Sequence, residues 1–174
     1  RPLRVRSLLG DWHRRDHRKL LVVDGRIGFT GGLNIGDEYA PKEEGGDGWR
    51  DNFARVEGPA VAAMDAEFAQ LWKSETGEPI EISLAPPPVG AARVRILANR
   101  NFIYRHRIRA AYLHAIGQAG RAIEIANSYF IPDRGIRRAL RRAVKRGVVV
   151  KLMLPAYSDV PLAAHASRNL YDGL

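Results

Sequence analysis

Short apolar runs alternate with helical stripes along this chain. Residues 20–24 (LLVVD) form an apolar run ending at Gly25, and residues 27–30 form a second. The Asp-Gly dipeptide between them predicts a β-hairpin. Gly31-Gly32 and a Gly-, Asp- and Glu-rich loop over 34–48 follow, and then an alternating segment over 49–57 that reads as a strand. Gly58-Pro59 opens a helix over 60–72, in which Val61, Met64, Phe68, Leu71 and Trp72 recur at helical spacing. That stripe, with Trp49, is expected in the core. A segment over 74–90 containing Glu78-Pro79 and Pro86-Pro87-Pro88 breaks the pattern and reads as a linker or a surface connection.

Beyond it the pattern restarts. It predicts a strand over 93–97, a helix over 105–118, a strand over 122–126 ending in the loop 127–133 (NSYFIPD), a helix over 134–146 stopped by Gly147, a strand over 148–154 stopped by Pro155, and a loop and helix over 158–174. Strands separated by helices of this length imply βαβ units and a largely parallel sheet. The expected organisation is the end of one α/β unit over 1–74, a Pro-rich linker over 75–92, and the start of a second unit over 93–174.

The 174 residues are 45% hydrophobic and 27% charged, enough to bury a core and outside the range of a disordered chain. Cysteine is absent, which excludes disulfides, a thiol nucleophile and a thiolate metal site. No apolar run is long enough to span a bilayer. The chain opens Arg1-Pro2-Leu3 without an initiator Met, and we read it as a piece of a longer protein. The net charge of +9 is divided unevenly: residues 1–90 hold 12 Lys and Arg against 15 Asp and Glu, residues 91–174 hold 16 against 4. The second half therefore favours phosphate-bearing partners, whether lipid, nucleic acid or anionic substrate.

One segment carries chemistry. His17, Lys19 and Asp24 read H-x-K-x4-D, and Gly31-Gly32-Leu33-Asn34 follows. On extended backbone, residues i and i+2 share a face, so His17 and Lys19 reach one small volume. A neutral imidazole serves as nucleophile or base, and an ammonium suits non-bridging phosphate oxygens. The glycines permit close backbone approach and Asn34 adds a neutral donor. Together they form a phosphoryl-transfer site that calls for no metal or other cofactor.

Residues 17–39 (HRKLLVVDGRIGFTGGLNIGDEY) resemble the HKD signature of the phospholipase D superfamily, most closely its bacterial cardiolipin synthase-like branch. Trp49-Arg50-Asp51, the run Val56 to Val61, Tyr129 to Asp133, Arg146-Gly147-Val148, and Leu154-Pro155 followed by Ser158-Asp159 extend the resemblance along nearly the whole chain. It implies a phospholipase D-type α/β/α sandwich with a mixed, mostly parallel sheet, incomplete at both ends. It also implies a covalent phospho-histidine mechanism. His17 is then the nucleophile, Lys19 and Asn34 bind phosphate with Gly32 allowing approach, and Asp24 belongs to the catalytic motif as the anchor of its loop. Asp51 orients a His of a second motif. That second motif is missing: His106, His114 and His165 have no Lys two residues on. This chain then holds half of a two-part site, inactive alone, completed by the rest of a parent chain or a second protomer.

Plainer readings stand beside these. Asp24 is an ordinary Asp-Gly turn residue, Gly31 and Gly32 a bulge, Asn34 a cap, Asp51 a solvated partner of Arg50, and Tyr129 and Phe130 core aromatics. In the helix over 134–146, Ile136, Ala139, Leu140, Ala143 and Val144 form the stripe that packs on the sheet, opposite Arg134, Arg137, Arg138, Arg141, Arg142, Lys145 and Arg146. That basic side is either merely solvated or held near anionic lipid heads. It lacks aromatics for stacking bases, which disfavours nucleic acid.

The leading reading is a phosphatidyltransferase acting on a phosphatidylglycerol-like lipid at the bacterial cytoplasmic membrane. The alternatives are a phospholipase D-like hydrolase, a metal-independent nuclease working as a dimer, and an inert lipid-binding piece.

Overall fold

The computed structural model describes residues 16–99, 106–128 and 130–155. The expected helix over 158–174, His165 and Tyr129 lie outside the described residues. The chain divides into two compact units, Arg1–Ile96 and Leu97–Leu174.

The first unit holds strands β1 (Leu20–Val23), β2 (Ile27–Gly31) and β3 (Phe53–Glu57) and helix α1 (Ala60–Thr76). The strands form an antiparallel meander, β1-β2-β3. The expectation of a mostly parallel sheet fails here, because each neighbouring pair is joined by a connection that returns the chain beside itself. At the hairpin, Asp24 and Gly25 take φ values of 53° and 61°, and the Arg26 N–H donates to the Val23 carbonyl at 3.0 Å. Two left-handed residues match the twist of the flanking strands. Asp tolerates the position; Gly25 also needs to lack a side chain, because a Cβ there would collide with Ser83.

β3 begins four residues later than the pattern suggests. The Trp49 N–H donates to the Glu38 carbonyl at 3.0 Å, and the Trp49 ring lies edge-on to Tyr39. Residues 49–52 thus serve the preceding loop before the ladder starts. α1 runs past 72 to Thr76, since Ser74 and Thr76 bond back to the carbonyls of Leu71 and Trp72, and Gly77 supplies the left-handed stop. Its buried side is Val61, Met64, Glu67 and Ala69. Phe68 and Trp72 are exposed instead and stack on each other at 6.1 Å, and Trp49 is exposed too. The expected 93–97 strand is not formed, because no neighbouring backbone pairs with it among the described residues. The Pro-rich segment has no regular structure, yet it is fastened to α1 through the Ser83 N–H, which donates to Asp65 at 2.9 Å.

The second unit holds α2 (Arg107–Gln118), β4 (Ala122–Ala126), α3 (Arg134–Lys145) and β5 (Val149–Met153). β4 and β5 pair in parallel, Ala122 beside Val149 through Ala126 beside Met153. Both strands alternate, with Ile123, Ile125, Val150 and Leu152 packed on a core of Ile116, Phe130, Leu140, Ala143 and Val148. Phe130 is therefore a core residue. Val144, expected in the packed stripe, is exposed at 53%.

Two arginines fasten the helices end to end. Arg109 near the start of α2 makes a two-pronged ion pair with Asp133, whose Oδ1 also accepts the N–H groups of Gly135 and Ile136 and so caps α3. Arg146, just past α3, donates to the carbonyls of Ile116, Gly117 and Ala119 at 3.1–3.2 Å, the orphan acceptors at the end of α2. Starts meet and ends meet, so the helices run side by side in the same direction.

The Arg109 guanidinium and the two backbone N–H groups hold the Asp133 carboxyl well below its usual range. A depressed carboxyl stabilises fully above its unfolded value of about 3.9 and loses that contribution as pH falls through the lower folded value. An Asp133→Asn chain therefore melts below the parent sequence at pH 7, and the gap closes as pH falls below about 4. Thermal melts by circular dichroism at stepped pH check this; a gap independent of pH contradicts it.

Candidate functional site

The end of the meander opposite the Asp24-Gly25 turn gathers the chemistry. Leu20 pairs with Thr30 and Gly31 with Phe53. Continuing β1 back by one residue brings Lys19 alongside Gly31, and the Gly32 N–H donates to the Asn52 carbonyl at 3.1 Å. Lys19, Gly32 and the backbone of Asp51 and Asn52 thus share one end of the sheet. Asp24 sits at the other end of β1, about 16 Å of extended chain from Lys19. The structure does not bring it to His17.

Alternation is fixed by what lies between His17 and Lys19. Arg18 donates from Nη1 to Glu67 on α1 at 3.0 Å, and clasps Asp16 through Nε and Nη2. Glu67 is buried, with 8% of its surface exposed, so its carboxylate requires such a partner. Arg18 in turn holds the Asp16 carboxyl below its ordinary range, chiefly through their side-chain hydrogen bonds. With Arg18 turned to the helix, its neighbours turn the other way. His17 is exposed and Lys19 half-buried. Sequence reasoning missed Arg18 and Glu67, although an acid between Met64 and Leu71 on the packed side of a helix was a usable signal.

Lys19 Nζ lies 2.9 Å from His17 Nδ1 and donates to the His17 carbonyl at 2.9 Å. An ammonium only donates, so Nδ1 accepts, and a neutral ring then carries its hydrogen on Nε2. Nδ1 is thereby engaged by Lys19.

The glycine pair is spatially required. A Cβ on Gly31 would collide with the Asn52 carbonyl and one on Gly32 with the Asp51 carboxylate. Asp51 is set by its Oδ1 accepting the Asn52 N–H at 2.7 Å. Asn34 donates from Nδ2 to the Tyr39 hydroxyl at 3.3 Å, which ties the start of the loop to the Tyr39–Trp49 pair. That aromatic pair is a second feature the sequence did not announce. Among the described residues, no group of three or more His, Cys, Asp or Glu side chains is placed to hold a metal ion. No helix among them is long and apolar enough to cross a membrane.

The family described as cardiolipin synthase, PLD-like domain, matches residues 112–174. The chain is 36% identical over 178 residues to a cardiolipin synthase of Geobacillus thermodenitrificans, covering 99% of this chain and 36% of that protein. It is 36% identical over 159 residues to cardiolipin synthase 1 of Staphylococcus aureus, covering 88% and 32%. A probable cardiolipin synthase of Bacillus subtilis is 34% identical over 163 residues, covering 92% and 33%. The chain thus spans about a third of the length of the curated relatives it matches. No solved structure matches it.

The Lys19–His17 contact makes a spectroscopic prediction. At a pH where the ring is neutral, nitrogen NMR of His17 should report hydrogen on Nε2 and an accepting Nδ1. Lys19→Met should shift the ring toward a mixture of both tautomers. A ring already protonated on Nδ1 in the parent sequence contradicts the contact.

Proposed function

This chain belongs to the phospholipase D superfamily, in its cardiolipin synthase-like branch, and on that footing we propose that it supplies the nucleophilic half of a phosphatidyltransferase site. The observation that carries the proposal is the placement of His17 and Lys19 on one face, in contact, by an arginine pinned to α1.

The reaction follows from these groups. A phosphodiester draws Lys19 from Nδ1 to a non-bridging oxygen. Nδ1 then takes the ring hydrogen through solvent, and the Nε2 lone pair is released to attack phosphorus. The P–N bond forms as the P–O bond to the leaving glycerol breaks. A second histidine, from a motif beyond this chain, protonates that oxygen. The hydroxyl of an acceptor lipid then displaces His17, giving its proton to the second histidine and regenerating the ring. The Asn34 amide keeps one N–H for the phosphate besides the one given to Tyr39. Gly32 leaves room for the backbone to approach, and Asp51, exposed beside it, orients the second histidine. Asp24 acts through the turn it forms. No metal or other cofactor takes part.

The substrate in this reading is phosphatidylglycerol, taken from a membrane surface at which the parent protein resides. Residues 1–74 and 93–174 are parts of two phospholipase D-like repeats joined by the Pro-rich 75–92 segment. In the parent their sheets belong to α/β/α sandwiches of mixed strand direction.

The experiment is to incubate the parent protein with phosphatidylglycerol. Cardiolipin plus glycerol is expected, with a loss on the order of 10³-fold or more in His17→Ala. Phosphatidic acid without cardiolipin would replace transfer by hydrolysis. Rapid phosphodiester turnover by the 174-residue chain as a monomer would contradict the half-site itself.

A further inference from the structure

Helix α3 and the residue after it carry seven basic side chains, and no carboxylate follows Asp133 until beyond β5. The structure separates these cations by task. Arg146 is committed to the end of α2, and the Arg137 Nε is buried. The other five, Arg134, Arg138, Arg141, Arg142 and Lys145, are all exposed. At about 100° per residue they fall within an arc of roughly 100°, diametrically opposite the buried Leu140 and Ala143. They form a stripe along about 16 Å of helix, facing away from the sheet.

This pattern works against the isolated helix. Positions 134 and 138, 138 and 142, and 141 and 145 are like-charged at i, i+4 spacing, where an acid would have stabilised the helix. A face that only keeps a protein soluble intersperses both signs. α3 itself supplies no compensating negative charge. Asp133 does not provide it, being bound by Arg109 and the helix N–H groups.

We infer that the α3 stripe is a docking surface for an anionic lipid bilayer. A straight, one-sided row of cations suits a smeared negative surface potential. The stripe has no aromatic side chain to stack on bases and no Asn or Gln to read base edges. Val144, exposed beside the row, adds an apolar contact. The inference stands on the charge pattern and the packing of α3, independently of the His17 chemistry.

The test is sedimentation of the full chain with phosphatidylcholine vesicles, with and without phosphatidylserine. Binding should require phosphatidylserine and disappear at high salt. Arg138→Gln/Arg142→Gln should weaken it about thirtyfold at unchanged circular dichroism, each cation near the surface contributing about a fivefold factor. Arg134→Gln/Lys145→Gln should do the same, so that a folding defect in one pair does not decide the matter. Lys73→Gln, in the other unit, should bind like the parent sequence. Parent-like binding by both stripe variants would overturn the inference, as would equal binding to neutral vesicles. Stripe-dependent binding of an oligonucleotide at a salt concentration where vesicles are released would overturn it in favour of nucleic acid.

Discussion

The ion pair between Arg18 and Glu67 determines which way the H-x-K segment faces. A one-residue rotation of an extended chain exchanges its two faces, so an unanchored segment could present Arg18 outward and bury His17 and Lys19. Glu67 removes that freedom. It lies on the packed side of α1, where an unpaired carboxylate is costly, and Arg18 reaches it from the strand side. The helix is itself held close to the sheet: Gly28 is buried under Met64, and a Cβ there would come within 2.5 Å of the Met64 sulfur. Register, helix position and the orientation of His17 are thus one connected constraint.

The hairpin, the glycine pair and the H-x-K alternation were legible because each depends on neighbours in sequence. Asp-Gly dictates its own backbone, and residues two apart share a face wherever the chain is extended. What failed was decided by partners far away. Trp49 reads as a strand residue until Glu38 and Tyr39 claim it. Phe68 and Trp72 fit the apolar period of α1, but the sheet covers only the side that carries Val61 and Met64. Residues 93–97 have strand composition and no partner among the described residues. Asp24 belongs to the motif in sequence, yet β1 carries it to the opposite end of the meander from Lys19. The chemical roles of Lys19, Asn34 and Asp51 come from the resemblance; what the fold contributes is that Lys19, Gly32 and Asp51 share one end of the sheet.

Charge shows the same division between local and distant causes. The sequence presents seven basic residues around α3 as one face. Packing makes Arg146 a cap for α2, as Arg109 ties the other end through Asp133, and leaves five cations outward. An orphan carbonyl recruits Arg146 and a carboxylate recruits Arg109. At Arg18 the same rule operates beside the nucleophile, where a partly buried acid turns a surface cation into a positioning group.

A double-mutant cycle with Arg18→Met and Glu67→Leu, read by urea unfolding, tests this dependence most directly. Arg18 is partly exposed and Glu67 nearly buried, so the pair falls between surface and interior ion pairs. A coupling of about 1–3 kcal/mol is expected, with the double variant more stable than the two single losses sum to. A coupling indistinguishable from zero would mean that the H-x-K segment is oriented by something other than Glu67.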